Sequence, residues 1–434
     1  MIVEAKLKVA VIGAGAAGLV TGREFRDAGH EVRLFEQGTR LGGIWAYEPS
    51  VEDDLLGLNP TTPIYSSIYD NLRTNLPSDL MAFMDYPFDE DGGGQSGWPR
   101  YPHHSCVLIY LQNFARHFEL ESLITFESKV ESVEPNAAGQ SWRIVTSRAE
   151  VAQFDVVVVC NGHFSKPRLL EITGADRFEG PRIHSHNYRR PEVFAGQRVA
   201  VIGKGASGAD IVQEVATQAK EVIWCGFDKP SPRRSVWCLP MPDRIDATHL
   251  HFTDPEESVA VDSILYCSGY EYHMPFLNEA LVQVQDNFVS PLYRDIVAPD
   301  WTRLGFIGLP FLVVPFPLYA MQARWFVSVV SGQVELPSKA EMLAISLAEK
   351  MALLDAGVQQ RHLHRQGERQ QGYYNSLAAD CGEPVLPEWF GALASEAQES
   401  RLRSPAGFRD QALSLPRQKP LADKKPLADK KPFA

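Results

Sequence analysis

The stretch from Lys8 to Glu36, KVAVIGAGAAGLVTGREFRDAGHEVRLFE, constrains this chain more than any other. Val9 to Ile12 is a short apolar run of the kind that forms a strand buried on both faces. It runs into Gly13-Ala14-Gly15-Ala16-Ala17-Gly18, then a helical segment, then a second apolar strand, Val32 to Phe35, closed by Glu36. Each residue type has a physical reason. Gly13 permits a tight turn, Gly15 lets the backbone approach a pyrophosphate, and Gly18 lets helix and strand pack closely. The unpaired N–H groups at the new helix's start then face the phosphates. Glu36 lies 23 residues past Gly13, where a carboxylate accepts hydrogen bonds from an adenosine ribose. A lone glycine fingerprint is weak, but here strand, helix and acid agree. The spacing predicts a dinucleotide site in a parallel α/β fold.

Following the chain, Gly42, Gly43, Ile44 and Trp45 suit a loop laid against that site, or an ordinary glycine turn. Thr74-Asn75-Leu76 before Pro77 reads as extended backbone with side chains free to enter a cleft, or as an Asx turn. Apolar spacing predicts a helix over 106–118 and strands over 124–133, 142–146 and 154–160; the last is a continuous apolar run that closes the first sheet. Arg198 to Val215, RVAVIGKGASGADIVQEV, repeats the opening plan, with Gly203, Gly205 and Gly208 as its fingerprint and the next strand at Val222 to Cys225. Lys204 inside that loop either meets a phosphate or points to water. Beyond the strand, Asp228 favours an unphosphorylated ribose, whereas Lys229, Arg233 and Arg234 favour a 2′-phosphate; the cations lean the reading toward NADPH. Val259 to Tyr270 reads as a strand returning to the first domain, with a further strand at 303–310 and helices at 321–332 and 341–356. From Arg403 the chain becomes Pro-, Lys- and Ala-rich and ends in a KPLADK repeat, which predicts a disordered tail.

This pattern divides the chain into a first dinucleotide-binding part at 1–165, a second dinucleotide-binding domain at 166–260, a return to the first domain with C-terminal helices at 261–400, and a tail at 401–434. The fold class is α/β with two Rossmann-like units, the second inserted in the first. A net charge of −12 argues against a nucleic-acid surface. The longest apolar run, Leu304 to Ala320, is broken by Pro310, Pro315 and Pro317 and does not suit a membrane span. The first strand follows charged Glu4, Lys6 and Lys8 closely, leaving no room for a signal peptide, so the protein reads as cytoplasmic. The clustered histidines lack metal-ligand spacing, and oligomeric state is not legible.

Two fingerprints in one chain imply FAD at one site and a nicotinamide nucleotide at the other, with hydride passing to the flavin. The six cysteines, from Cys106 to Cys381, include no vicinal pair to take the electrons onward. Oxygen is the natural remaining acceptor.

Phe178-x-Gly180-x-x-x-His184-x-x-x-Tyr188, just before the second fingerprint, is similar to the signature of the flavin-containing monooxygenases. Gly42 to Trp45, Thr74 to Pro77 with Met81 to Phe88, Cys267 to Tyr270 through Leu277, and Gln322 to Trp325 also resemble that family, most closely its shorter plant and fungal members. The Baeyer–Villiger relatives carry Trp-Pro where this chain has Tyr188 and Arg189, which disfavours that branch. The resemblance implies that NADPH reduces FAD, that oxygen adds at flavin C4a, and that the hydroperoxide oxygenates sulfur or nitrogen of a small molecule. It implies FAD contacts from Gly13 to Gly18, Glu36, Gly43, Ile44, Trp45, Asn75, Leu76 and Val130. It implies NADP contacts from Thr74, Asn75, Gly203, Gly205, Ser207, Gly208, Ala209 and Asp210, with Gln322 completing the cofactor set. Asn75 is the expected catalytic residue, and the His184 motif is expected to organise the domain junction and NADP binding without proton transfer. Two departures bear on this: Lys204 is atypical, and Tyr319-Ala320 replaces an acid often found before Met-Gln. An oxidase releasing hydrogen peroxide is the alternative within the same architecture, and a catalytically inert nucleotide-binding scaffold is the alternative outside it.

Overall fold

The computed structural model describes residues 6–136, 139, 141–228, 231–233, 235–253 and 258–417. Its organising elements are two six-stranded sheets built on one plan. In the first, Lys8–Ile12 is central, paired in parallel with Glu31–Phe35 on one side and Val156–Val159 on the other. Ile124–Thr125 extends one edge; Trp301–Phe306 and Val297–Ala298 extend the other. In the second, Arg198–Ile202 is central, flanked by Glu221–Cys225 and Ser263–Tyr266, with Arg182–His184 at one edge and Val236–Leu239 and Ser231–Arg233 toward the other.

The alternation of side chains along a strand decides what covers each face. Val9, Val11, Val156 and Val158 point into a core with Leu19, Val20 and Phe25 of helix Ala16–Asp27 and Trp325 and Phe326 of helix Pro315–Val330. Ala10, Ile12, Val157 and Val159 point the opposite way, onto a small antiparallel sheet of Val130–Pro135, Trp142–Thr146 and Val151–Phe154. The second sheet repeats this: Val199 and Val201 meet Ile211, Val212 and Val215 of helix Ala206–Val215, and Ala200 and Ile202 meet Ile245 and Leu250 of another three-stranded sheet.

Four sequence expectations change. The run 124–133 is two strands in different sheets, separated by a turn in which Glu127 adopts φ 53°. Phe154 ends its own strand, and Asp155 separates it from Val156–Val159. The strand expected to return to the first domain, Ser263–Tyr266, pairs with Arg198–Ile202 instead; the chain rejoins the first sheet only at Val297. The helix expected from Met321 starts at Pro315, because proline lacks an N–H that the first helical turn does not need.

A buried ion cluster fastens the first core. Arg23 bonds Asp85 at 2.9 and 3.2 Å, and Arg324 bonds Asp85 at 2.7 Å and Glu24 at 3.1 Å. It joins the helix after the first fingerprint to the Met81–Phe88 segment and the Gln322–Trp325 motif. Four of the six cysteines (Cys160, Cys225, Cys238 and Cys267) are buried thiols. Among the described residues, no helix is long and apolar enough to cross a membrane.

Candidate functional site

A cleft of about 3230 Å³ runs between the two fingerprints, several times the ~300–1,000 Å³ of a site for one small ligand. Its first wall is the turn after Lys8–Ile12. Gly13 has φ +107°, and a Cβ there would meet the carbonyl oxygen of Cys160 at 2.5 Å. A Cβ on Gly18 would lie 1.9 Å from the Gly13 carbonyl oxygen, so only glycine lets the helix start this close to the strand. Gly15 caps the helix without any side-chain hydrogen bond, leaving the first-turn N–H groups for a ligand. Gly42 N–H donates to the Ala14 carbonyl at 3.0 Å, and Gly43 comes within 3.5 Å of where a Gly15 Cβ would lie. The Gly42–Trp45 loop is therefore laid on the phosphate turn, as one of its two sequence readings required.

Glu36 is buried at the end of Glu31–Phe35. Its two oxygens accept from the Ala14 and Gly38 N–H groups, each at 2.8 Å, and each retains a lone pair for a ribose hydroxyl. Burial pushes its pKa up, while these N–H donors hold it down.

The second wall copies the first. Gly203 has φ +117°, and its Cβ would meet the Cys267 carbonyl oxygen at 2.3 Å; a Gly208 Cβ would meet Gly203 oxygen at 2.2 Å. Gly205 caps its helix without a side-chain bond, and a Cβ there would meet nothing within 4 Å. The Lys204 ammonium lies 6.0 Å from the Phe227 ring centroid, an exposed cation–π contact. Lys229 and Arg234 lie outside the described residues. Both walls fit a dinucleotide: glycine cradles, uncapped helix starts and, on the first, a buried acid.

Between them lies Asn75. Its carboxamide is exposed to the cleft and makes no hydrogen bond among the described residues, so the Asx-turn reading does not hold. Thr74 differs: its hydroxyl is committed to the Leu76 carbonyl at 2.8 Å. Of the expected cofactor residues, Gly13, Gly15, Ala16, Ala17, Glu36, Gly43, Ile44, Trp45, Thr74, Asn75, Leu76, Val130, Gly203, Gly205, Ser207, Ala209 and Asp210 line this one cleft. Ala14, Gly18, Gly208 and Gln322 stand behind its surface. Gln322 is fully buried, accepting from Gly308 N–H at 3.0 Å and donating to the Tyr373 hydroxyl at 2.8 Å. Asp210 reaches the cleft, but its carboxylate is engaged by the Tyr69 hydroxyl at 3.0 Å and by the Arg409 guanidinium.

The His184 motif builds the edge strand of the second sheet, and a Gly180 Cβ would lie 2.3 Å from the Asp262 carbonyl oxygen. Behind it, Arg189 donates to the carbonyls of Glu48 and His186 at 2.7 Å and of Tyr188 at 2.9 Å, and Glu52 accepts from Ile64 N–H at 2.9 Å and Asn187 at 3.1 Å. These groups tie residues 48–66 to the motif. Sequence reading gave them no such structural role, because the contacts that join the two stretches, Arg189 to Glu48 and Asn187 to Glu52, cross more than a hundred residues.

Two glycine cradles facing one cleft, one with a ribose acid, define an oxidoreductase that brings a flavin and a nicotinamide nucleotide together. The lineage agrees: a family model described as flavin-binding monooxygenase-like matches residues 6–240 and 240–382, and the chain belongs to that family. It is a monooxygenase with FAD and NADPH as cofactors. Flavin-containing monooxygenase FMO GS-OX5 of Arabidopsis thaliana is 40% identical over 401 residues, covering 88% of this chain and 86% of that one. The Arabidopsis FMO GS-OX-like 4 is 39% identical, covering 93% of each. Among solved structures, S-allyl-L-cysteine S-oxygenase from Allium sativum superposes with a TM-score of 0.88 at 38% identity, over 94% of this chain and 95% of that one. Tmm from Pelagibacter sp. strain HTCC7211 shares the fold, with a TM-score of 0.80 at 24% identity over 98% of each.

Proposed function

We propose that this enzyme transfers one atom of O2 to the sulfur of a small-molecule thioether, with NADPH as electron source. The observation that carries sulfur over nitrogen is the near full-length likeness to the Allium S-oxygenase. Bound FAD supplies the chemistry that activates oxygen. The chain supplies the rest. Uncapped N–H groups at Ala16 and Ala206 bind the two pyrophosphates, and the Glu36 carboxylate holds the flavin-side ribose. Ile44 and Trp45 cover the flavin side of the cleft against water. The uncommitted Asn75 carboxamide, a donor at Nδ2 and an acceptor at Oδ1, would hydrogen-bond both rings once they are bound. No side chain need act as general acid or base at the sulfur.

The test is reduction by NADPH without oxygen, followed by mixing with aerated buffer containing either a thioether or a tertiary amine. Sulfoxide outpacing N-oxide is expected; the reverse order would overturn the sulfur assignment. Asn75→Ala should leave the rate of flavin reduction nearly unchanged and cut sulfoxide yield by about 10²-fold, the scale for losing one well-placed hydrogen-bonding group. An unchanged yield would remove Asn75 from the mechanism.

A further inference from the structure

The segment following helix Glu388–Arg403 was expected to be disordered from sequence, yet through Arg417 it is folded onto the body. Phe408 is buried, its ring edge-on to Tyr101 at 5.3 Å. Arg100 donates to the carbonyls of Leu415 at 2.7 Å and Pro416 at 3.2 Å, and Arg417 donates to the Trp98 carbonyl at 2.7 Å.

Arg409 is the centre of this segment. Its Nε donates to the Thr74 carbonyl at 2.9 Å and Nη2 to the Arg73 carbonyl at 3.2 Å. The same guanidinium makes a two-pronged bond to the Asp210 carboxylate, with Nη1 to Oδ1 at 3.0 Å and Nη2 to Oδ2. Arg73 returns the contact, to Asp410 at 2.7 Å and to the Arg409 carbonyl at 3.3 Å. One planar group thus joins the backbone beside Asn75 to the helix that begins at the second glycine cradle. The pair is largely shielded, with side chains 16% and 23% exposed, so solvent screens it only partly.

A fork of this kind fixes direction as well as distance, which a lysine ammonium does not. Tyr69, donating to Asp210 at 3.0 Å, completes the clasp from the first domain's side. We propose that Arg409 is a positioning residue that holds the second nucleotide's helix in register with the Asn75 loop, so that the nicotinamide stays over the flavin between reduction and oxygen transfer. This rests on the two-nucleotide reading above. The clasp touches neither reacting ring and acts through Thr74 and Asp210.

The test uses full-length holoenzyme carrying Arg409→Ala, Arg409→Lys or Tyr69→Phe. Three quantities are followed: NADP⁺ affinity, hydrogen exchange of the Ala206–Val215 amides, and the share of NADPH electrons that appears as hydrogen peroxide. Arg409→Ala should raise the peroxide share and weaken NADP⁺ binding, each about 3- to 10-fold, the scale of one ordinary net hydrogen bond, because the clasp acts on the nucleotide only through the helix it holds. The helix amides should exchange faster while flavin content stays unchanged. Arg409→Lys should recover only part, and Tyr69→Phe should show the same signs at smaller size. In an Asp210→Asn background, Arg409→Ala should add little. Unchanged peroxide share and NADP⁺ affinity in folded Arg409→Ala would overturn the proposal. So would an equal effect from Arg417→Ala, which loosens the segment away from the clasp. If Arg409→Ala does not fold, full restoration by Arg409→Lys, or Tyr69→Phe behaving as the parent enzyme, overturns it equally. A parent enzyme that forms no sulfoxide, while NADP⁺ affinity and helix exchange still respond to Arg409→Ala, would count against the oxygenase reading instead.

Discussion

The two nucleotide cradles share a backbone plan and differ in what closes them. At the first, the Gly42–Trp45 loop presses on the turn, Ala16 and Ala17 are buried, and Glu36 waits beneath. At the second, Lys204, Gly205 and Ala206 are exposed, and nothing lies within 4 Å of a Cβ placed on Gly205. The glycines answer one requirement, close approach of backbone to phosphate. The covering answers another, whether the ligand leaves. A roofed cradle suits a cofactor retained through many turnovers, and an open one suits a nucleotide that exchanges.

The comparison breaks most sharply at the third glycines. Gly18→Ala forces a methyl into the Gly13 carbonyl, so the variant should purify without a yellow chromophore and without activity. Gly208→Ala forces the same clash at the second cradle and should stay yellow while KM for NADPH rises about 100-fold, or ~2.7 kcal/mol of lost binding. Flavin loss from both, or from neither, would erase the distinction. Next, the buried ion cluster belongs to the first core. Arg324→Ala should leave Arg23 alone against the two buried carboxylates of Asp85 and Glu24 and cost about 3–5 kcal/mol. Thermal unfolding followed by flavin release should report that loss ahead of any change in NADP⁺ binding.

Smaller effects sharpen the contrast. Gly205→Ala meets no protein atom, so it should leave Tm unchanged while raising KM for NADPH about 10-fold, or ~1.4 kcal/mol. A fallen Tm would show that the second cradle is less open than described. Acid should separate the halves further. Burial pushes the His184 imidazole, at the edge of the second sheet, down to about 3, and that of His163, beside the first cradle, to about 4. A histidine with a depressed folded pKa contributes stability that is present above its unfolded pKa, near 6.5, and is lost as pH falls toward the folded value. Each costs about 1.4 kcal/mol per pH unit over that window. His184→Gln should flatten the acid slope of the second sheet's hydrogen-exchange protection by one proton and leave the first sheet's slope alone.

Much of this was legible in the sequence because it is local. The fingerprints, their strands and helices, Glu36 and the Gly42–Trp45 loop lie within short stretches where residue type and spacing dictate geometry. The exposure of Asn75 to the cleft followed one of its two local readings, extended backbone before Pro77, whereas its expected role came from the family resemblance alone. What escaped depends on distant partners. Gln322 sits in a recognisable motif, yet its amide serves Gly308 and Tyr373 behind the cleft. Asp210 was expected to be a nucleotide contact from the family resemblance alone, and nothing near it in sequence announced its pairing with Arg409. That arginine was discounted with its neighbours, since a Pro- and Lys-rich composition masks one buried phenylalanine. Ser263–Tyr266 looked like a return to the first sheet because an apolar strand does not state its partner.

The interleaving of the sheets also sets the order in which they can be built. Every strand of the second sheet lies between Arg182 and Tyr266, whereas the first needs strands from both sides of that interval, as far as Phe306. On a ribosome, the unit encoded later can therefore finish first, while the opening strands wait for their last neighbour to emerge. The first cradle, written at the start of the message, is among the last parts of the molecule to become whole.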